Sequence, residues 1–385
     1  MDLSVHTSMI DVHRIEDDSE WNDYVERAAG GSVFHRLEFL RAIAAETGTT
    51  LDLLVGRNGD HPIGIVPIFT TRMGPFQLAC SPPPDAGIPH LGPATMLDPN
   101  IKFRKAAVRT KEFLEACVEW IDARHDPHYV RIVTNPAFEE VRPFRWLGFD
   151  LTPRFTYELD LTRDEDELLR AFSRDARTSI QEGYESACAV TDGGEQVLTG
   201  DGTDASHAAG EHGGNDAAGE HGGNDASTPM YTIEEGGLEA VEYLGTRLEQ
   251  RFAEQGESFP LSKEFLQRVY KQLPPETVQA YSFRVDGQPV SGRLSLVDDG
   301  RLTFWQGVPR PTADVDVSVN DLLNWHSIRS ARENDCTVAE LSGANVERLW
   351  DYKAKFNPRL ASYYIVERTS PTVRPALKAY KWWKT

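Results

Sequence analysis

The feature that most constrains the fold is a strand-turn-strand pattern that occurs twice in the chain. Residues 53–66 read LLVGRNGDHPIGIV, and residues 281–294 read YSFRVDGQPVSGRL. In each segment, two runs with strand-type side chains flank a short turn that contains glycine, which predicts a β-hairpin. Each hairpin has a proline just after its turn and follows a segment with helical spacing. The sequence therefore predicts two copies of one α/β unit.

A low-complexity segment interrupts the second copy. The letters AAGEHGGND occupy residues 208–216 and are repeated at residues 217–225. Aromatic and branched side chains almost vanish around this repeat, so the segment cannot bury enough apolar surface to offset the entropy of ordering. We expect a first domain at residues 1–160, the start of a second domain at 161–190, a disordered insertion at 191–230, and the rest of the second domain at 231–385.

The charge composition is acidic and poor in lysine. The 385 residues carry a formal net charge of -20, with 10 lysines against 30 arginines, a composition similar to that of salt-adapted, haloarchaeal-type proteins. At molar salt the Debye length is about 3 Å, so this net charge does not exclude a nucleic-acid partner. The N-terminus is polar, and no apolar run approaches the ~18 residues of a membrane helix. We expect a soluble, cytoplasmic protein without a membrane span.

The motifs that would indicate metal, phosphate-loop or serine-hydrolase chemistry are missing. The four cysteines are scattered and form no CxxC pair, which argues against a zinc site or a disulfide framework. No GxSxG, HExxH, Walker A or Rossmann glycine pattern stands in a suitable context. We therefore expect no metal and no bound cofactor.

The C-terminal part carries the pattern that indicates a family. A predicted strand ends at Ala339–Leu341, Ser342-Gly343 follows, and residues 349–357 read LWDYKAKFN. This resembles the FemAB family, in which a strand that ends in glycine precedes an aromatic-Lys-x-x-Phe-Gly element. It is also similar to the BioF2-like acetyltransferase group of the GNAT superfamily. A predicted helix at Glu165–Glu182, with arginines at 174 and 177, resembles the family's helix at the start of its middle segment.

The resemblance implies an α/β (α+β) fold of tandem duplicated GNAT-like (acyl-CoA N-acyltransferase) domains with mixed central sheets. It implies transfer of an acyl or aminoacyl group to an amine, such as an amino sugar or a cell-envelope glycan precursor. The co-substrate would be acyl-CoA or aminoacyl-tRNA, with tRNA then acting as donor carrier. Two alternatives stay open: a CoA-dependent N-acetyltransferase of a small molecule, and a degenerate module that binds a glycan or peptide without catalysis.

Three residues are candidates for the catalytic chemistry. Lys353 is the first, because acyl transfer passes through a tetrahedral oxyanion that a fixed, partly desolvated cation stabilises. Glu340, near the end of a strand, and Asp85, in a proline-rich loop, are candidates to accept the proton that the amine loses. His35 and His90 are further candidate bases.

The candidate substrate-binding residues are partly basic and partly aromatic. Arg174 and Arg177 lie three residues apart on a helix, so they share a face that suits a phosphate or carboxylate. Tyr352 and Phe356 flank Lys353 in the family element. Trp305 is either a platform for substrate or part of the core.

The sequence lacks the phosphate-binding loop of an ordinary CoA-dependent acetyltransferase. Residues 27–32, RAAGGS, nearly match its pattern but stand at the end of a helix. The corresponding place in the second copy carries Asp314, Asp316 and Asp321, whose carboxylates would repel a pyrophosphate. This weakens the expectation that acyl-CoA is the donor.

Overall fold

The computed structural model describes residues 10–185, 188–192, 195–199, 230–308, 310–371 and 373–374. Its α-helices are Trp21–Arg27 (α1), Leu37–Thr47 (α2), Phe103–His125 (α3), Arg142–Trp146 (α4), Glu165–Ala171 (α5), Arg174–Glu185 (α6), Leu238–Glu254 (α7), Lys263–Gln272 (α8), Val319–Glu333 (α9) and Glu347–Ala354 (α10). Its strands are Asp11–Arg14 (β1), Thr50–Asn58 (β2), His61–Met73 (β3), Phe76–Ser81 (β4), Ala94–Thr95 (β5), Tyr129–Val133 (β6), Asp150–Asp160 (β7), Cys188–Asp192 (β8), Glu195–Thr199 (β9), Met230–Glu235 (β10), Val278–Val285 (β11), Gln288–Asp298 (β12), Arg301–Gly307 (β13), Val338–Glu340 (β14) and Arg359–Thr369 (β15).

Both predicted hairpins are present, as β2–β3 and β11–β12. Each pair is antiparallel, and in each the register shifts close to the turn. Asp286 and Gly287 form the second turn with φ values of 49° and 77°, in the left-handed region that turns between strands require. The duplicated pattern in the sequence therefore marks the same local structure in both halves.

The duplication extends beyond the hairpins to a helix that connects two parallel strands. In the first half, α3 joins β4 to β6, which pair in parallel. In the second half, α9 joins β13 to β14, which also pair in parallel. Each half thus combines an antiparallel hairpin with a parallel pair, and the mixed α/β class expected from the sequence is confirmed.

Strand β15, the last strand in the described part of the chain, joins the two halves into one sheet. β15 lies between β6 and β7 and is antiparallel to both, while the C-terminal end of β7 pairs with β14. Across the described residues the strand order is β1-β2-β3-β4-β6-β15-β7-β14-β13-β12-β11-β10-β9-β8, with β5 beside β3. Strand β15 therefore completes a part of the sheet built from residues before 161.

Two segments differ from the sequence prediction. The helix expected at Glu165–Glu182 is two helices, because Phe172 has an extended backbone and its buried ring packs against Trp325 and Phe356. The insertion expected at residues 191–230 begins within a pair of strands, since β8 pairs with β9 and β9 pairs with β10. Residues 200–229, which hold the nine-residue repeat, lie outside the described residues.

A shared apolar core also links the halves. Helix α2 of the first half packs against α8 of the second, where the rings of Phe39 and Phe265 lie 6.1 Å apart, edge to face. Trp305, on β13, contacts both rings at 5.4 Å and 6.0 Å. One hydrophobic cluster therefore includes residues from both halves, and this burial resists separation of the halves.

If β15 holds the sheet together, removing an apolar contact from it should weaken the whole molecule. Val366 is fully buried, whereas Leu360 on the same strand is 62% exposed. We expect Val366→Ala to lower the free energy of unfolding by roughly 2 kcal/mol, and Leu360→Ala by under about 0.5 kcal/mol. Urea denaturation measures both. Equal effects of the two substitutions would contradict the central position of β15.

Candidate active site

A cavity lies where the two parallel strands of the second half separate. β13 and β14 pair only through Arg301–Thr303 and Val338–Glu340. β13 then continues to Gly307, while the chain after β14 turns away through Ser342 and Gly343, whose φ values are 54° and 76°. The opening has a volume of about 420 Å³, a size typical of small-molecule sites.

The lining of this cavity, which we call the strand-gap cavity, is basic and aromatic. It comprises Arg293, Phe304, Trp305, Gln306, Gly307, Val308, Asn320, Leu341, Ser342, Gly343, Leu349, Tyr352 and Lys353. The set contains two cations and no acidic residue. The cavity is therefore suited to a group that carries or develops negative charge.

Lys353 is the most unusual side chain in the lining. It is 9% exposed, its Nζ donates to the Leu341 carbonyl at 2.9 Å, and it lies 5.6 Å from the centre of the Phe304 ring. Among the described residues it has no acidic partner. Burial, together with repulsion from Arg293, lowers the pKa of Lys353 to about 7. The amine is therefore near its midpoint of protonation at neutral pH.

Arg293 is a second buried cation beside Lys353. Its guanidinium lies 4.5 Å from the centre of the same Phe304 ring, and its Nε has no hydrogen-bond partner. Burial lowers the pKa of Arg293 to about 10. The two cations thus lie near the same aromatic ring, and a buried guanidinium without a counter-ion is costly unless an anion joins it.

Sequence reasoning missed Arg293. The only signal in the sequence is the run VSGRLSL at residues 290–296, in which every other residue is apolar or small and which is buried throughout in strand β12. An arginine in a strand buried on both faces needs a partner or a function.

Tyr352 and Phe356 hold α10 so that Lys353 reaches the cavity. Phe356 is buried and packs against Phe172 at 5.2 Å. The Tyr352 hydroxyl donates to Asp321 Oδ1 at 3.0 Å and accepts from Asn324 at 2.8 Å. Burial, with the neighbouring Asp321 carboxylate, raises the pKa of the Tyr352 hydroxyl. The contacts of these two aromatic side chains with the rest of the protein therefore anchor the segment on both sides of Lys353.

Asp321 is neutralised within the protein. It is buried at the start of α9, and Lys355 Nζ lies 2.7 Å from its Oδ2. With its two oxygens engaged by Tyr352 and Lys355, its carboxylate is not available to repel an anion in the strand-gap cavity. Asp314 and Asp316 are exposed and do not line the cavity.

Glu340 lies in a separate buried cluster between the halves. Both its oxygens lie 3.0 Å from His90 Nε2, and it accepts from Thr156 at 2.8 Å and from Arg301 at 3.4 Å. Burial raises its pKa, but His90, Arg301 and Thr156 outweigh that effect, so the pKa of Glu340 lies below its usual value. Glu340 does not line the strand-gap cavity.

The remaining predicted residues are spread over the structure. Asp85 is exposed, in a loop whose Gly87 carbonyl accepts from Trp305 Nε1 at 2.8 Å. Arg174 is exposed, and Arg177 donates to the Arg170 carbonyl at 3.4 Å. Trp305 lines the cavity and is also packed against the shared core.

The two histidine candidates lie on the side of the first half. His35 is fully buried and contacts the Gly92 carbonyl at 3.2 Å. Burial lowers the pKa of His35 to about 4, so it is neutral at physiological pH. His90 pairs with Glu340, as described above.

The described residues contain neither a metal-binding cluster nor a membrane-spanning helix. Within the described residues, no group of three or more His, Cys, Asp or Glu side chains is arranged to hold a metal ion. No helix in the described part of the chain is long and apolar enough to cross a membrane.

The comparisons with known proteins point to one fold. The family model for an acetyltransferase (GNAT) domain matches residues 223–354, which include every residue that lines the strand-gap cavity. A search of curated proteins found no match.

Solved structures resemble nearly the whole chain. FemX is 10% identical, covers 92% of this chain and 96% of its own, and has a TM-score of 0.62. The C-terminal domain of a putative lysylphosphatidylglycerol synthetase from Agrobacterium fabrum is 14% identical over 94% and 95% of the two chains, with a TM-score of 0.52. A tandem GNAT protein from the clavulanic acid biosynthesis pathway is 12% identical over 94% and 98%, with a TM-score of 0.50. The expected tandem GNAT fold is confirmed.

The lowered pKa of Lys353 predicts an unusual dependence of stability on pH. Between pH 7 and the ordinary lysine value of 10.5, the unfolded chain binds a proton at this position that the folded protein does not. Stability contributed by this position therefore rises with pH across that range, by about 1.4 kcal/mol for each unit of pKa shift. Lys353→Met should remove this rise, as measured by urea denaturation from pH 6.5 to 10. Parallel curves for the two proteins would contradict the lowered pKa.

Proposed function

We propose that this protein is an N-acyltransferase in which the strand-gap cavity holds the reacting carbonyl group. The single observation that carries the proposal is the buried Lys353 amine, which has no acidic partner among the described residues and faces an acid-free cavity between diverging parallel strands. The match of the acetyltransferase family model to the surrounding residues supports it. The test is formation of an amide on an amine acceptor, detected by mass.

In the proposed reaction, the amine nitrogen of the acceptor attacks the carbonyl carbon of an activated acyl donor. A negative charge develops on the carbonyl oxygen, and Lys353 Nζ donates a hydrogen bond to it. The Leu341 carbonyl and the Phe304 ring hold Nζ in place before the reaction, so little reorganisation is needed when the charge appears. Arg293 adds a second positive charge beside it.

Collapse of the tetrahedral intermediate breaks the bond between the carbonyl carbon and the carrier. With a thioester donor, the products are an amide and a thiol, and the proton lost by the amine balances the thiolate that leaves. The described cavity lining contains no carboxylate and no imidazole. We propose that this proton passes to water or to the departing thiolate. We also propose that Glu340 has a structural role and joins the two halves through its contact with His90.

We propose acyl-CoA as the donor. The family model matched by the second half is that of an acetyltransferase. The sequence argument against CoA rested on Asp314, Asp316 and Asp321. The first two are exposed and do not line the cavity, and the carboxylate of Asp321 is bound by Lys355 and Tyr352. Aminoacyl-tRNA is the competing donor, and the acceptor we propose is an amino sugar or another small primary amine.

We propose that the second half of the protein carries the reacting groups and that the first half supports them. Trp305, which lines the strand-gap cavity, donates a hydrogen bond from Nε1 to the Gly87 carbonyl of the first half at 2.8 Å. We also propose that the domain boundary lies near residue 160, with β15 returning to the first half. The loop containing Asp85 then covers one side of the site.

A donor screen tests the proposed function directly. Acetyl-CoA, longer acyl-CoA species and aminoacyl-tRNA are each incubated with a panel of amino sugars and other primary amines. We expect amide products with acyl-CoA and release of one thiol for each amide. If only aminoacyl-tRNA gave products, aminoacyl-tRNA and not acyl-CoA would be the donor. If no donor gave an amide, the result would favour a binding module without catalysis.

Removing the Lys353 cation should reduce catalysis more than binding. We expect Lys353→Met to lower kcat by about 10²–10³-fold with a smaller change in KM, because the hydrogen bond forms chiefly in the transition state. Lys271→Ala is the matched control, since Lys271 is exposed on α8. The rate of thiol release from the preferred acyl-CoA measures both variants. An unchanged kcat for Lys353→Met would contradict the assignment.

The pH dependence separates a cationic role for Lys353 from a role as base. Lysine with a pKa of about 7 loses its charge as pH rises, whereas arginine stays charged. The ratio of wild-type kcat/KM to that of Lys353→Arg should therefore fall about tenfold for each pH unit above 7. Ionisation of the amine substrate affects both enzymes equally, so its effect cancels in this ratio. A ratio that rises above pH 7 would show that the neutral lysine is the active form.

A further inference from the structure

A second large cavity lies on the first half, away from the strand-gap cavity. It forms between the end of α1, the turn of the β2–β3 hairpin and the beginning of α3, and its volume is about 860 Å³. It shares no lining residue with the strand-gap cavity. We call it the α3 cavity.

The charge of the α3 cavity is opposite to that of the chain. Its lining includes Arg27, Lys102, Lys105 and Arg109, against one carboxylate, Asp98. Asp98 is exposed and accepts from the Asn100 backbone at 2.8 Å. Four positive charges around one cavity are unexpected in a protein with a net charge of -20, and their clustering calls for an explanation.

These cations are not neutralised by the protein. None of the four belongs to an ion pair among the described residues, and the guanidinium of Arg109 lies next to the neutral side-chain amide of Asn58. Residues 102–111, KFRKAAVRTK, contain five basic residues and no acidic one. Like charges held this closely repel each other, and an anionic ligand would reverse that cost.

The chemistry of the lining favours phosphate over a carboxylate. Arginine binds the oxygens of a phosphate through two parallel hydrogen bonds, and lysine adds a point charge. The positive charge of four cations is larger than the negative charge of one carboxylate, and it matches the charge of two or more phosphates. The cavity also lies at the N-terminal end of the 23-residue helix α3, whose first turn has no acidic residue.

The apolar part of the lining limits the size and kind of ligand. Pro62, Ile63, Met96, Leu97 and Ile101 line the cavity beside the four cations. An extended nucleic acid would need a basic stripe, whereas this arrangement places charge next to an apolar surface in one concavity.

We propose that the α3 cavity binds a small molecule that carries two or more adjacent phosphate groups next to an apolar portion. Arg27, Lys102, Lys105 and Arg109 hold the phosphates, and the apolar residues contact the rest of the ligand. This inference does not depend on the acyl-transfer reaction proposed for the second half.

The test is calorimetric titration of the full chain with inorganic pyrophosphate, at the lowest salt concentration at which circular dichroism shows the protein folded. The double variant Lys102→Ala/Lys105→Ala removes two charges from the lining. Its matched control, Arg104→Ala/Arg124→Ala, removes two exposed charges from the same helix outside the lining. All four positions are exposed or terminal in α3, and alanine favours helix, so both variants should fold.

We expect pyrophosphate to bind the wild-type protein and the control with affinities within about threefold of each other. The lining variant should bind at least tenfold more weakly, because each lost charge-assisted contact is worth about a factor of ten. Tighter binding of pyrophosphate than of monophosphate should accompany this. Absence of pyrophosphate binding, or equal loss in both double variants, would overturn the proposal. Binding of a short RNA much tighter than that of pyrophosphate would overturn it in favour of a nucleic-acid surface.

Discussion

The insertion of β15 between β6 and β7 is the constraint on which the rest of the structure depends. Nine residue pairs of β15 with β7 and five with β6 connect residues 359–369 to strands formed far earlier in the sequence. Helix α10 ends at Ala354, and β15 begins at Arg359. Docking the strand therefore also positions the helix that carries Lys353, and the same pairing that unites the sheet sets the geometry of the candidate active site.

The electrostatics of that site follow from where the chain places its few lysines. Lys353 and Lys355 lie on one short segment but do different things: Lys355 neutralises Asp321, and Lys353 faces a cavity without acidic groups. Burial next to Arg293 and the Phe304 ring makes the cavity strongly favourable for negative charge. The excess of carboxylates in the chain thus coexists with two places, the strand-gap cavity and the α3 cavity, from which they are nearly absent.

Local patterns in the sequence predicted much of the fold. The hairpins and the duplicated unit follow from strand patterns and turn residues that act over short distances. Strand β15 was not predicted, because its partners lie about 200 residues away and only tertiary pairing decides where it goes. The break at Phe172 was missed for a similar reason: the helical pattern continues through it, and the contact of its ring with Phe356 ends the helix.

The candidate site was predicted in part. The Tyr352–Phe356 segment located Lys353, since alternating aromatic and basic residues after a glycine turn form a compact local motif. Arg293 escaped detection because nothing near it in the sequence shows that its strand faces a cavity. Glu340 lies at the predicted strand end, but only the folded structure brings His90 to it, 250 residues away. Residue identity predicted which groups can react, while the fold decided which of them meet.

The most direct test of the account is a crystal structure with a non-hydrolysable acyl-CoA analogue in which a methylene group replaces the thioester sulfur. The account predicts the analogue between β13 and β14, with its carbonyl oxygen about 3 Å from Lys353 Nζ, as a hydrogen bond requires. An analogue bound elsewhere, or with its carbonyl group out of reach of Lys353, would contradict it.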